Sequence, residues 1–522
     1  MYENTRVTHA AGIVGSATLL SRIFGFLRDV VIAGFFGAGL GSDAFFVAFR
    51  IPNLLRRLFA EGSLSIAFIP VFTEYLTTKG KDEAFKLAGS AILLLSIILM
   101  ILALSGILLS PLLIRIIAPG FAGSPEKLSL TITLTRIMFP YIFFIGMVAL
   151  CMGILNVLGH FAAPALAPVF LNLAMIGGVV FISPHLSKPI IGLAIGVIIG
   201  GALQLLLQVP FILGRGVFFW KKTRIYHSGL KKIGLLMLPA VFGAAVYQIN
   251  ILVGTLLASL LPEGSVSYLY YADRLVQFPL GIFAIATATA VLPSLSRQAA
   301  ANDLAGVRET FAHAMNLVFF ITIPSMVGLI ILREPIITLL FKRGAFDAQT
   351  TRLTAVALLY YGVGLWAFSA VRIVVSTFYA LQDTKTPVRM AVVSVIANIV
   401  LGVLLMRPLG HGGLALSTSL ASMLNLILLV RALRVTLESL DLKSIKESIC
   451  KTVVSSVMMG AVVWAVSGYM IRFENGTFLS LLFGLIGSII IGFLFYVVFA
   501  FLIKSPELKN VWFAVTKGVG KQ

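Results

Sequence analysis

The sequence predicts an all-α integral membrane protein of about fourteen transmembrane helices, arranged as two pseudo-symmetric six-helix lobes around a central cationic cavity, plus two C-terminal helices. Three observations predict it: an apolar composition, a succession of runs long enough to cross a bilayer, and an internal repeat. Of 522 residues, 59% are hydrophobic and 11% charged, with mean hydropathy +1.03. A soluble domain carries roughly 25% charged residues, so the solvent for much of this chain is lipid.

Read against turn and charge signals, and with about 20 apolar residues needed per span, the apolar runs give fourteen segments. In order they lie near 9–38, 43–77, 87–117, 128–158, 163–183, 189–213, 232–260, 267–295, 310–332, 351–380, 387–406, 412–434, 450–471 and 478–503. The first two are long, Gly-rich and polar in places, and are expected to be bent or partly interfacial. Arg22, Arg28 and Asp29 interrupt the first run, and no small-residue cleavage site follows, which argues against a cleaved signal peptide.

The net charge of +20 and pI near 10.1 do not describe a nucleic-acid-binding domain, because the basic residues are scattered between apolar runs. With the N-terminus placed in the cytoplasm, 23 Lys and Arg fall in inside segments and nine in outside segments, Lys127 among the nine. That asymmetry supports cytoplasmic N- and C-termini and an even number of spans. Cys151 and Cys450 give neither a disulfide framework nor metal-ligand spacing.

The repeat has a nearly constant interval. Arg50 and Arg274, Pro111 and Pro335, and Gly120 and Gly344 are each 224 positions apart, and Pro164 and Pro387 are 223 apart. Six spans per repeat give the two halves parallel topology, related by an axis along the membrane normal. The expected domains are therefore residues 1–220, 221–440 and an appended 441–522. This is the layout of an alternating-access transporter.

Eight basic residues lie inside spans: Arg22, Arg28, Arg50, Arg56, Arg57, Arg136, Arg274 and Arg372. Their acidic companions are Asp29, Asp43, Glu61, Glu74 and Asp273. An Arg at the bilayer centre costs about 2.5–3.5 kcal/mol even on the lenient insertion scale, so each must line a cavity, pair internally or snorkel. Arg57 and Glu61 share a helix face at a spacing of four. Arg28 and Asp29 are adjacent and do not face each other, so no simple local pair is expected. Arg136 and Arg372, near segment ends, read as snorkelling or structural pairs, whereas Arg22, Arg28, Arg56 and Arg274 read as cavity-lining; Arg50 fits either role. Arg in excess of acid favours an anionic substrate, since the guanidinium fork matches phosphate oxygens. A cation exporter would instead show buried Asp and Glu.

Catalytic classes find no support. There is no GxxxxGK[ST], no HExxH, no GxSxG and no clustered Ser/His/Asp arrangement, and the six histidines are scattered. Neither an enzyme nor a bound cofactor is expected, and a polytopic glycosyltransferase or lipid phosphatase would need a motif that the chain lacks.

Beyond these physical readings, SRIFGFLRD (21–29) and GAGLGSDAFFVAFRIPNLLRRLFAEGSLSIAFIPVFTEY (37–75) closely resemble the MviN/MurJ family of lipid II flippases. APGF (118–121), FPYI (139–142), GSVSYLYYADRLVQFPLG (264–281), LPSLS (292–296) and QDTKTPV (382–388) extend the resemblance, in order, over roughly residues 10–435. It implies a member of the multidrug/oligosaccharidyl-lipid/polysaccharide exporter superfamily in the bacterial inner membrane. The implied task is moving undecaprenyl-pyrophosphate-linked disaccharide pentapeptide to the outer leaflet for peptidoglycan synthesis. The family's functional arginines match Arg22, Arg28, Arg56 and Arg274, its acidic positions match Asp43 and Glu61, and Asp29 and Asp273 flank two of those arginines. Gln277 departs from relatives that carry Glu there, so no protonation role carries over. For coupling to a Na⁺ or H⁺ gradient or to membrane potential, Asn250, Asp383 and Asn398 are loose candidates. The expected partners are lipid II, membrane lipids and cell-wall synthesis proteins, with no nucleic acid. The alternative cargo is another lipid-linked oligosaccharide such as an O-antigen unit; a multidrug/cation antiporter is disfavoured by the basic spans.

Overall fold

A computed structural model describes residues 2–58, 64–218, 226–471 and 477–509. Its regular elements are helices throughout the described residues. The first compact unit comprises the chain up to Ser267 together with Arg343–Phe346. It contains α1 (Tyr2–Phe36), α2 (Leu40–Leu58), α3 (Leu64–Thr78), α4 (Gly80–Ile117), α5 (Pro125–Met138), α6 (Tyr141–Val157), α7 (Ala162–Gly177), α8 (Ile190–Leu213) and α9 (Ser228–Ser259). The second unit comprises Tyr268–Lys342 and the chain from Asp347 onward. It contains most of α10 (Ser265–Pro279), then α11 (Ile285–Ala300), α12 (Leu304–Ile331), α13 (Arg333–Phe341), α14 (Ala348–Val363), α15 (Leu365–Ala380), α16 (Lys385–Leu409), α17 (His411–Thr436), α18 (Leu442–Met470) and α19 (Phe478–Leu502).

Each segment foreseen in the sequence falls on a helix or a pair of consecutive helices. Among the described residues, ten spans are long and apolar enough to cross a membrane, and the pair α14–α15, bent by 42°, makes an eleventh. Two of the ten, Pro125–Val157 and Ser265–Ala300, each join two consecutive α-helices, and Ala162–His185 continues α7 through two short non-α turns. The other three segments of the expected fourteen fall on α1, on α2 with α3, and on α9. Large apolar side chains point outward, Leu108 being 77% exposed and Phe501 72%, as a lipid-facing surface requires.

The repeat recurs in where helices begin. α4 starts at Gly80 and α12 at Leu304, 224 residues later, while α5 and α14 start at Pro125 and Ala348, 223 apart. Pro164 and Pro387 each occupy the third position of their helix, α7 and α16, where the missing N–H would find no intrahelical acceptor. Caps also correspond: Ser124 accepts the Lys127 amide at the start of α5, and Asp347 accepts the Thr350 amide at 2.7 Å at the start of α14.

Within the first unit, α7 and α8 pack along Gly192, Gly196 and Gly200, one turn apart on α8. A Cβ at any of the three would run into Ser183, Ala174 or Leu171. Small residues at this spacing let membrane helices approach where no hydrophobic effect drives them together. In the second unit, Phe311, Met315 and Phe319 of α12 pack with Ile373 and Phe378 of α15 and Leu429 and Leu433 of α17. The appended α18 and α19 join through Met459, Val463 and Leu485, and the Tyr496 hydroxyl donates to the Phe320 carbonyl at 2.6 Å.

Candidate functional site

In the first unit, α1 presents Arg22 and Arg28. The Arg28 guanidinium donates through Nε and Nη2 to Asp29 Oδ1 at 3.0 and 2.7 Å, and through Nη1 to Asn172 Oδ1 at 2.9 Å. Asn172, on α7, is fixed in turn by donating from Nδ2 to the Ser21 carbonyl at 3.2 Å. The Arg28 side chain is 12% exposed and that of Asp29 4%. This corrects the expectation that adjacent Arg28 and Asp29 form no local pair. Neighbouring Cβ atoms diverge around the helix, but the long Arg side chain curls back far enough for its fork to meet the short carboxylate. Asn172 was not foreseen, although a lone amide inside the apolar run 163–183 was a signal available in the sequence.

Arg22 is exposed, and among the described residues no ion pair or hydrogen bond engages its side chain. Arg56, on the last turn of α2, donates from Nε to Asn53 Oδ1 at 3.0 Å. Glu61 lies outside the described residues. Two of the remaining arginines bond to hydroxyls, Arg50 to Thr255 and Arg136 to Ser110, each at 3.1 Å. For Arg136 this is the structural pairing the sequence suggested.

Asp43 sits in a different setting. At 1% exposure its carboxylate accepts from Lys127 Nζ at 2.7 Å, the Gly264 amide at 2.8 Å, the Ser267 amide at 2.9 Å and the Ser267 hydroxyl at 2.6 Å. The start of α10 thus points its free amides, and the positive end of its dipole, at this carboxylate. Nearby, Glu263 Oε1 accepts the Leu40 amide at 2.7 Å at the start of α2. Each helix therefore has its N-terminus satisfied by an acid from the neighbourhood of the other. Lys127, counted in the sequence as an outside-loop charge, is buried in the first turn of α5 and lies 4.3 Å from the Phe121 ring centroid.

In the second unit, Arg274 is exposed on α10, donating to the Tyr270 hydroxyl at 3.0 Å with its guanidinium 4.9 Å from that ring's centroid. Asp273, half-buried beside it, accepts from Gln277 Nε2 at 3.4 Å. Of the coupling candidates, Asp383 accepts the Lys385 and Thr386 amides at 3.0 Å each, capping α16. Hydrogen bonds from Thr386, its side chain first and then its backbone, hold the Asp383 carboxyl below its usual range. Asn250 and Asn398 are half-buried. No cluster of three or more His, Cys, Asp or Glu that could hold a metal ion occurs among the described residues. The chemistry on offer is cationic hydrogen bonding within a membrane helix bundle.

Comparison with known proteins finds relatives of this chain over most of its length. The family model described as "Lipid II flippase MurJ" matches residues 32–484. A probable lipid II flippase MurJ of Vibrio cholerae is 41% identical over 475 residues, covering 89% of this chain and 90% of the relative. One from Rhizobium tropici is 36% identical over 504 residues, covering 95% and 94%. The solved structure of "Lipid II flippase MurJ, inward closed conformation" superposes with a TM-score of 0.78 at 31% identity, covering 93% of this chain and 97% of that one. An inward-facing multidrug resistance MATE family transporter of the MOP superfamily shares the fold at a TM-score of 0.69 and 15% identity, covering 82% of this chain and 98% of that one.

Proposed function

This chain belongs to the lipid II flippase MurJ family, and from that premise we propose that it carries lipid II from the cytoplasmic to the periplasmic leaflet for peptidoglycan synthesis. It is a multi-pass inner-membrane protein of a transporter family rather than an enzyme. The observation that carries the reading is Arg22, a guanidinium exposed on α1 with no counter-ion among the described residues. A permanently charged fork held in a membrane helix at a cost of a few kcal/mol is best explained by an anionic ligand.

In this proposal Arg22, Arg28 and Arg274 bind the pyrophosphate and Arg56 adds to the cationic surface, while the lipid tail stays in the bilayer. Asp29 orients Arg28, Asp273 flanks Arg274, and Glu61 is a companion of Arg57. Asp43, saturated by its own partners, contributes through the helix ends it ties together. The lobes 1–220 and 221–440 rock about the bound headgroup, with 441–522 as an appended pair and both termini in the cytoplasm. Movement is driven by a Na⁺ or H⁺ gradient, by membrane potential or by consumption of product outside, and cell-wall synthesis proteins are its neighbours.

The test is complementation. A bacterium depleted of its own lipid II flippase and expressing this chain should regain lipid II accessible on the outer leaflet, and lose it with Arg274→Ala. Absence of rescue despite membrane expression would turn attention to another lipid-linked oligosaccharide, such as an O-antigen unit.

A further inference from the structure

In the second unit, a cleft of about 590 Å³ opens between the start of α12, the α17–α18 connection and the segment after α19. It lies at the helix ends that the Lys and Arg distribution assigns to the cytoplasm. The volume falls within the range of small-molecule sites. Its charge runs against that of the rest of the chain. In a protein with 40 basic and 20 acidic residues, the lining holds three carboxylates, Glu309, Asp441 and Glu507, against one guanidinium, Arg308. Arg308 is largely committed elsewhere: Nε donates to the Leu437 carbonyl at 2.8 Å and Nη2 lies 3.8 Å from Glu438.

Two buried groups in the cleft lack, among the described residues, the partner their chemistry calls for. Glu507 is 4% exposed and accepts only neutral donors, the Ser448 and Ser505 hydroxyls, each at 2.6 Å. No cation among the described residues lies within ion-pair distance of it. A buried carboxylate is ordinarily matched by a positive charge as well as by hydrogen bonds. Asn316, on the α12 wall, has its side-chain oxygen buried with no donor. Among the described residues, Glu507 is left asking for a positive charge and Asn316 Oδ1 for a hydrogen-bond donor.

We infer that this cleft binds a primary ammonium group, with the Glu507 carboxylate as its counter-ion and Asn316 Oδ1 as a further acceptor. A –NH₃⁺ supplies three donors and a compact charge. A quaternary ammonium supplies no donor and is recognised by aromatic faces, and no Phe, Tyr or Trp lines the cleft. Glu309 and Asp441, exposed in the lining, add attraction for a cation. The amine is either the headgroup of an ethanolamine phospholipid or a soluble polyamine. Once bound, it would tie α12, α18 and the chain after α19 together, fastening the appended helices to the second repeat.

The experiment is native mass spectrometry of the full-length chain in detergent, titrated separately with dioleoyl phosphatidylethanolamine, dioleoyl phosphatidylcholine and spermidine. The expected result is saturable uptake of at least one amine, weakened about tenfold or more in Glu507→Gln, with no competition from the choline lipid. Uptake of the ethanolamine lipid alone identifies the headgroup; uptake of spermidine alone identifies a soluble amine. Because Glu507 is buried, the exposed Glu309→Gln provides a second variant, expected to weaken binding without disturbing the fold. Equal binding of the choline lipid, no saturable uptake of either amine, or affinity unchanged in both variants would overturn the assignment.

Discussion

The Asp43 carboxylate and the Ser267 amide lie 2.9 Å apart in space and 224 positions apart in sequence. The same interval separates Arg50 from Arg274 and the start of α4 from that of α12. Equivalent positions of the repeat therefore meet here. Lys127, from α5, supplies the positive charge that balances Asp43. The first prediction concerns this node. Lys127→Met leaves a buried carboxylate without its cation and should destabilise the protein by about 3–5 kcal/mol, seen as a lower thermal midpoint in detergent. Adding Asp43→Asn should recover part of that loss, and a double variant no better than the single one would show that the ion pair is not what Lys127 contributes.

Arg22 tests the anion-binding proposal with the least structural interference, because no described residue depends on its side chain. Arg22→Ala should abolish the appearance of lipid II on the outer leaflet while the thermal midpoint and membrane level stay as in the parent. Full transport by the Ala variant would remove Arg22 from the site.

Asn172 holds Arg28 in place without any role of its own in attracting phosphate. Losing a hydrogen bond to a charged group costs about 1.5–3 kcal/mol, so Asn172→Leu should slow transport by about tenfold or more. The Arg28→Lys variant should fail similarly, since an ammonium cannot engage Asp29 and Asn172 at once through a planar fork. Transport assays on the two variants at matched expression check both statements.

The glycine stripe of α8 makes a packing prediction. Gly196→Leu would drive a side chain into the α7 backbone at Ala174 and Met175. Overpacking of this kind costs about 1–3 kcal/mol, and because backbone is the obstacle the effect should lie at the upper end. A detergent melting curve unchanged from the parent would contradict the close α7–α8 contact.

Asp347 gives a pH prediction. Hydrogen bonds from Thr350, its backbone first and then its side chain, lower this carboxyl from its usual 3.8. A depressed folded-state pKa means the contribution is complete above the unfolded value and disappears as pH falls through the folded one. Asp347→Asn should therefore flatten the fall in thermal midpoint between about pH 5 and pH 2, whereas Asp347→Ala should cost about 1 kcal/mol at neutral pH through loss of the α14 cap.

Much of the fold could be read without coordinates. Apolar runs mark lipid-exposed helices because an unpaired backbone group cannot be left in hydrocarbon, and the repeat interval seen in Arg50 and Arg274 reappears in where helices begin. Counting spans was harder, since α2 with α3 and α14 with α15 each occupy what looked like one segment. At the site, the sequence singled out the arginines by the cost of placing them in a membrane. It passed over Asn172, whose mark was a lone amide in an apolar run, and misplaced Lys127, because a lysine beside a turn reads as a loop charge until its partner is known.

The sequence by itself determined the solvent, the helical architecture and the repeat, and it singled out the intramembrane arginines, since each depends on local composition or on a spacing along one chain. Only the tertiary structure decided which charges are satisfied. It paired Arg28 with Asp29 and Asn172, tied Asp43 to Lys127 and the start of α10, and left Glu507 buried with hydroxyls alone. Most of those outcomes join residues tens to hundreds of positions apart, and even the adjacent Arg28 and Asp29 meet only through the path their side chains take, because Coulomb and hydrogen-bond energies follow separation in space, not in sequence.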